Sequence, residues 1–118
     1  MKRVADIISL IGHTSGTNDK LSLLVRYADT PGLKEILKFI YNPYCKTGIS
    51  KAKLNKAMSF APVNKDITYQ QAIEYFSKNQ TGSDADLFFA RDFISSTPAE
   101  AKWLAEAIIT QDLKIGVS

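Results

Sequence analysis

Apolar residues return at helical spacing along most of the chain. Val4, Ile7, Ile8 and Ile11 form a first stripe, which Gly12 is expected to stop. Thr17-Asn18-Asp19 offers N-caps to a second helix carried by Leu21, Leu24, Val25 and Ala28. Thr30-Pro31-Gly32 reads as a helix start with proline near its first turn. From it run Leu33, Ile36, Leu37 and Ile40 at the i, i+3, i+4, i+7 spacing, until Asn42-Pro43 breaks the helix.

Residues 43–66 carry no long periodic stripe and hold two prolines and one glycine, so they read as an irregular excursion with a short helical turn at 50–58. Periodicity then resumes. Asp66-Ile67-Thr68 opens a helix through Ala72, Ile73, Tyr75 and Phe76, and Thr81-Gly82-Ser83 punctuates it. A further helix carries Leu87, Phe88, Ala90, Arg91 and Ile94. Thr97-Pro98-Ala99-Glu100 has the form of a capped start: N-cap threonine, proline at N1, glutamate at N3. The last helix carries Trp103, Leu104, Ala107 and Ile108. Nothing alternates at period two. The expected fold is all-α, a compact bundle of five to six short helices with one long irregular loop, in a single domain over 1–118.

At 118 residues the chain can bury one core but hardly two. No apolar run approaches the roughly 20 residues that span a bilayer, so no membrane partner is expected. One cysteine, Cys45, excludes an internal disulfide and fits a reducing, cytoplasmic compartment. The net charge of +3 is unevenly distributed. Residues 1–60 carry 10 basic and 4 acidic side chains, whereas residues 61–118 carry 5 and 8. Lys46, Lys51, Lys53, Lys56 and Lys65 follow one another with no acid among them until Asp66. One-sided basicity is an electrostatic footprint for a polyanion; a solvated lysine surface is the plain alternative.

Enzyme chemistry finds little support. The acids lie on faces that read as exposed; Asp84, Asp86 and Asp92 look like N-terminal and surface charges on one helix. His13 reads as a polar turn residue, and Cys45 lies in a loop beside Lys46 with no partner histidine. One Cys and one His preclude a zinc-finger site, and glycine-rich nucleotide loops are absent. Binding fits better. "KTGISKAKLNK" sets a Thr-Gly turn before a lysine cluster, "KNQTGSDAD" sets a second before a helix start, and "LKIGVS" ends the chain on a third glycine turn. At such turns backbone N–H groups and hydroxyls can approach a phosphate closely. The chain's ending, a C-cap glycine followed by a good N-cap serine, reads as a cut made before another element.

Three stretches carry a resemblance to a known family. "LKEILKFIYNPYCKTGIS" (33–50), "EYFSKNQTGSDADLFFARDFI" (74–94) and "WLAEAIITQDLKIGVS" (103–118) resemble the N-terminal DNA-binding domain of ATP-dependent DNA ligases of the bacteriophage type. The resemblance runs in order across essentially the whole chain. It implies a monomeric module of a longer ligase in a bacterial or phage-infected cell, holding double-stranded or nicked DNA beside the remaining ligase domains. ATP and Mg2+ would serve the parent enzyme. This chain holds no cofactor on that reading, because no lysine in it begins a Lys-x-Asp-Gly adenylation motif. The family's phosphate-facing turns correspond to Thr81, Gly82 and Ser83, and to Lys114, Gly116 and Ser118. Lys46, Thr47, Gly48, Lys51, Lys53 and Lys56 join them on charge alone. Two rivals stand beside this reading. A helix-turn-helix over 68–94 would place Asp84 and Asp86 against the groove with no base-reading Arg, Gln or Asn at that helix start. A helical protein-interaction domain would use its lysines for solubility.

Overall fold

A computed structural model describes residues 1–113. Among them the chain forms seven α-helices and a 3₁₀ turn, with no strand: α1 (Lys2–His13), α2 (Thr17–Arg26), α3 (Leu33–Tyr41), α4 (Lys51–Ala57), α5 (Tyr69–Lys78), α6 (Asp84–Ser96), the 3₁₀ turn (Ala99–Ala101) and α7 (Lys102–Thr110). The described residues adopt the all-helical bundle expected from periodicity, with seven α-helices rather than five to six, because Ser50 caps a seven-residue α4 inside the stretch read as irregular. α7 is its axis: α3 and α6 pack on it, α4 packs on α6, α5 bridges α3 and α6, and α1 covers α2 and the 3₁₀ turn. Leu104, Ala105, Ile108 and Ile109 of α7 are wholly inaccessible. They meet Ile8 and Ile11 of α1, Ile36 of α3, Phe76 of α5 and Phe93 and Ile94 of α6 in one core. Burying each of these Leu, Ile and Phe side chains contributes about 1.5–3 kcal/mol relative to leaving it in water.

Local departures from the sequence expectations have local causes. α1 runs past Gly12 to His13, because its end is closed by side chains: the Thr14 hydroxyl donates to the Leu10 carbonyl at 2.7 Å and His13 Nδ1 to the Ser9 carbonyl at 2.8 Å. α2 is rotated from its expected stripe and has no fully buried residue. Leu23, Leu24 and Tyr27 pack on the core, while Val25 is 78% exposed. The guanidinium groups of Arg3 and Arg26 over the Tyr27 ring, at 5.7 and 5.5 Å, fit that rotation. Pro31 precedes the N-cap of α3, which is Gly32, rather than occupying its first turn.

Thr68 caps α5 in a reciprocal box with Gln71, and Ser83 caps α6 through the Asp86 N–H. Thr97 does not cap the next helix. Its hydroxyl turns back to the Phe93 carbonyl at 2.9 Å and closes α6, so the expected single helix after it becomes a 3₁₀ turn followed by α7. Trp103 is 40% exposed rather than a core residue.

Candidate nucleic-acid interface

The ribbon from Cys45 to Ser50 links α3 to α4 and alternates strictly. Cys45, Thr47 and Ile49 are buried; Lys46, Gly48 and Ser50 face out. Four anchors fix this register. The Cys45 thiol donates to the Phe76 carbonyl at 3.5 Å, so this cysteine is a packed core group rather than a loop thiol. Gln111 Nε2 donates to the carbonyls of Phe39 (3.1 Å) and Cys45 (2.7 Å), while its Oε1 accepts from the Thr47 N–H at 3.1 Å. Thr47 Oγ1 donates to the Ile109 carbonyl at 2.5 Å. Thr47 is therefore an inward-facing tether, not a surface contact: it is only 2% exposed.

The second Thr-Gly turn lies directly against this ribbon. Lys46 N–H donates to Gln80 Oε1 at 3.3 Å. A Cβ on Gly82 would stand 2.6 Å from the Gly48 carbonyl oxygen, and one on Gly48 would stand 3.3 Å from the Gly82 nitrogen. Both glycines have positive φ, +74° and +64° for Gly48 and Gly82. Lys53 Nζ donates to the Gly48 carbonyl at 3.4 Å and lies 3.5 Å from where a Gly82 Cβ would be. Two turns that are separate in sequence are thus one surface, with an ammonium at their junction.

Beneath the turn sits Asp86. It is 2% exposed, which corrects its reading as a surface charge. Its carboxylate accepts from the Tyr75 hydroxyl at 2.7 Å and the Thr81 hydroxyl at 3.1 Å, and the backbone amides of Thr81 and Gly82 add to its electrostatic stabilisation. Burial pushes this carboxyl up, but those bonds outweigh it and hold the group below the usual carboxylate range. Burial, together with the bond to Asp86, pushes the Tyr75 phenol up to about 12. The Thr81 hydroxyl expected to be open to a phosphate is therefore already committed to Asp86. Thr81 and Ser83 remain exposed on the outer side. Asp92 is the second buried acid. Burial raises its carboxyl, yet the Arg91 Nε–H at 3.0 Å and the N–H groups of Val63 and Asn64 bring it below the usual range.

The remaining lysines divide. Lys46 and Lys56 are exposed on the ribbon and on α4. Lys51 pairs with Glu106 of α7 at 2.5 Å, and the pair lines an open cleft of about 870 Å³ with His13, Trp103 and Asp112. Lys114, Gly116 and Ser118 lie outside the described residues. The structure thus brings together Lys46, Gly48, Lys53, Thr81, Gly82 and Ser83. The sequence reading missed Gln111, which carried no signal, and Asp86, which the Ser83-x-x-Asp86 spacing at a helix start could have marked. Among the described residues no group of His, Cys, Asp or Glu side chains could hold a metal ion, and no helix is long and apolar enough to cross a membrane. Comparison with protein-family models, with curated proteins and with solved structures gives no match.

Proposed function

We propose that this chain holds duplex DNA by its backbone phosphates without reading base sequence, as the substrate-gripping module of an ATP-dependent DNA ligase acting on nicked DNA. One observation carries the reading: Lys53 stands where the two Thr-Gly turns meet, with Lys46 on the adjoining ribbon. A tethered turn that presents ammonium groups and the Ser83 side chain matches the contacts that position a protein on a duplex without specifying sequence. The likeness of residues 33–50, 74–94 and 103–118 to ligase DNA-binding domains adds the setting. In that setting the module acts as a monomer beside the other ligase domains, in the cytoplasm of a bacterial or phage-infected cell. ATP and Mg2+ belong to the catalytic domain, since this chain lacks the adenylation motif.

The test is fluorescence anisotropy with nicked duplex, intact duplex and single strand of one sequence over a range of salt. Each phosphate neutralised contributes a slope of about −0.9 in log K against log salt. Lys46, Lys53 and Lys56 together give a slope of about −3 on duplex, with the single strand bound less tightly. A double change, Lys53→Glu with Lys56→Glu, should weaken duplex binding at least about tenfold at low salt while leaving helicity unchanged. Unchanged affinity would remove the 46–56 stretch from the site.

A second reading, a protein-interaction domain, draws on Phe60 and Phe88, which are 54% and 41% exposed with their rings 5.9 Å apart. Indifference to DNA at low salt with the protein folded would favour it.

A further inference from the structure

Tyr44 has the most exposed large apolar side chain among the described residues, at 93%. Nothing in the phosphate-gripping reading uses it. Its ring contacts no other ring, and its hydroxyl has no hydrogen-bond partner, among the described residues. Its backbone is nonetheless tied down. The Tyr44 N–H donates to Asn42 Oδ1 at 2.9 Å, the Cys45 N–H to the Asn42 carbonyl at 3.5 Å, and the Cys45 carbonyl is held by Gln111 at 2.7 Å. Pro43 fixes the preceding φ. A stiff turn therefore holds a bare aromatic face in solvent, just before the buried-and-exposed alternation of the ribbon begins. Lys46 follows two residues later, no more than about 7 Å away along the chain.

An aromatic face beside an ammonium is the pairing that holds a nucleotide whose base is out of its stack: the ring takes the base and the cation the neighbouring phosphate. In a continuous duplex every base face is already covered, and uncovering one costs unstacking. At a gap or a strand end that cost is largely absent. We infer that Tyr44 is a stacking platform for a base exposed where a strand is interrupted, and that with Lys46 it makes this chain favour interrupted over continuous duplex. The inference rests on the DNA-binding reading above and names the substrate class that its surface prefers.

The experiment uses the chain as it stands and two duplexes of identical sequence, one continuous and one with a one-nucleotide gap flanked by 2-aminopurine. The wild-type chain should bind the gapped duplex about tenfold more tightly and quench the 2-aminopurine on binding. Tyr44→Ala should reduce that ratio to about one while leaving affinity for the continuous duplex within about twofold, and Tyr44→Phe should retain both the ratio and the quenching. The exposed ring makes no stabilising contact, so melting of Tyr44→Ala should stay within a few degrees of wild type. A wild-type chain that binds both duplexes equally, or a Tyr44→Ala variant that keeps the preference and the quenching, overturns the inference and leaves the phosphate-gripping reading standing. Failure to bind either duplex at low salt overturns both.

Discussion

Replacing Gly82 by alanine puts the contact between the two Thr-Gly turns to a direct test. A Cβ at this position would lie 2.6 Å from the Gly48 carbonyl oxygen and 3.2 Å from its carbon. Both atoms are backbone, and the ribbon that carries them is tethered through Thr47 and Gln111, so it cannot yield by a side-chain rotation. The positive φ adds strain of about 1–2 kcal/mol for an L-residue, partly offset by about 0.4–1 kcal/mol from the narrower unfolded ensemble of alanine. Separating the turns to admit the methyl loosens the ribbon at its most constrained point. Gly82→Ala should therefore cost about 3 kcal/mol in all, the range of an overpacked and strained site.

Gly48→Ala is the matched comparison, because it probes the same contact from the other side. Its φ is also positive, but its Cβ would stand 3.3 Å from the Gly82 nitrogen, a distance that a shift of a few tenths of an ångström relieves. Its cost should be about 1 kcal/mol. Urea unfolding followed by far-UV circular dichroism measures both, and an unchanged slope would confine the effect to the native state. In thermal melts the difference of about 2 kcal/mol should appear as a gap of about 8 °C between the variants. If Gly82→Ala proved as stable as Gly48→Ala, the close apposition of the turns would not be a feature of the folded chain.

Two further predictions concern the buried acids. Asp86 has its carboxyl held below its unfolded value of about 3.9. Its contribution is therefore complete above that value and lost as pH falls through the lowered folded one. Asp86→Asn should cost about 2–3 kcal/mol at pH 7, with a deficit that shrinks below about pH 4; a deficit in urea midpoints independent of pH would refute the assignment. Asp92→Ala removes the acceptor of Arg91, whose side chain is only 7% exposed and lies over the Phe88 ring at 4.8 Å. The stranded guanidinium should cost about 3–5 kcal/mol, and a loss below about 1 kcal/mol in the same unfolding assay would show that Arg91 finds water or another partner.

The helices were readable because their signals are local. The stripe Leu33, Ile36, Leu37, Ile40 and the cap at Thr68 need only neighbours within two turns to act. Where a long-range contact decides, the pattern misleads. Leu21, Leu24 and Val25 have helical spacing, yet α2 turns Val25 outward so that Leu23 and Tyr27 can pack. Thr97 and Pro98 have the form of a helix start, but the Thr97 hydroxyl is used to end α6. Asp86 has the composition of a surface residue, and only the fold, by placing Tyr75 and Thr81 around it, makes its burial tolerable.

The candidate surface follows the same division, with a consequence for how it would grip a polyanion. The Thr-Gly turns and the lysines were visible as separate segments, but their meeting depends on Gln111 and Thr47 fixing the ribbon and on two glycines allowing backbone to touch backbone. With the Thr81 hydroxyl committed to the Asp86 carboxylate buried beneath it, that turn is a poor cradle of the phosphate-loop kind. A buried negative charge beneath it also lowers the local potential. Attraction must then come from Lys46, Lys53 and Lys56, whereas Lys51 is held by Glu106. On the proposed reading such a surface would bind through released counterions, so its affinity should track salt lysine by lysine while the turns set only where the ammonium groups stand.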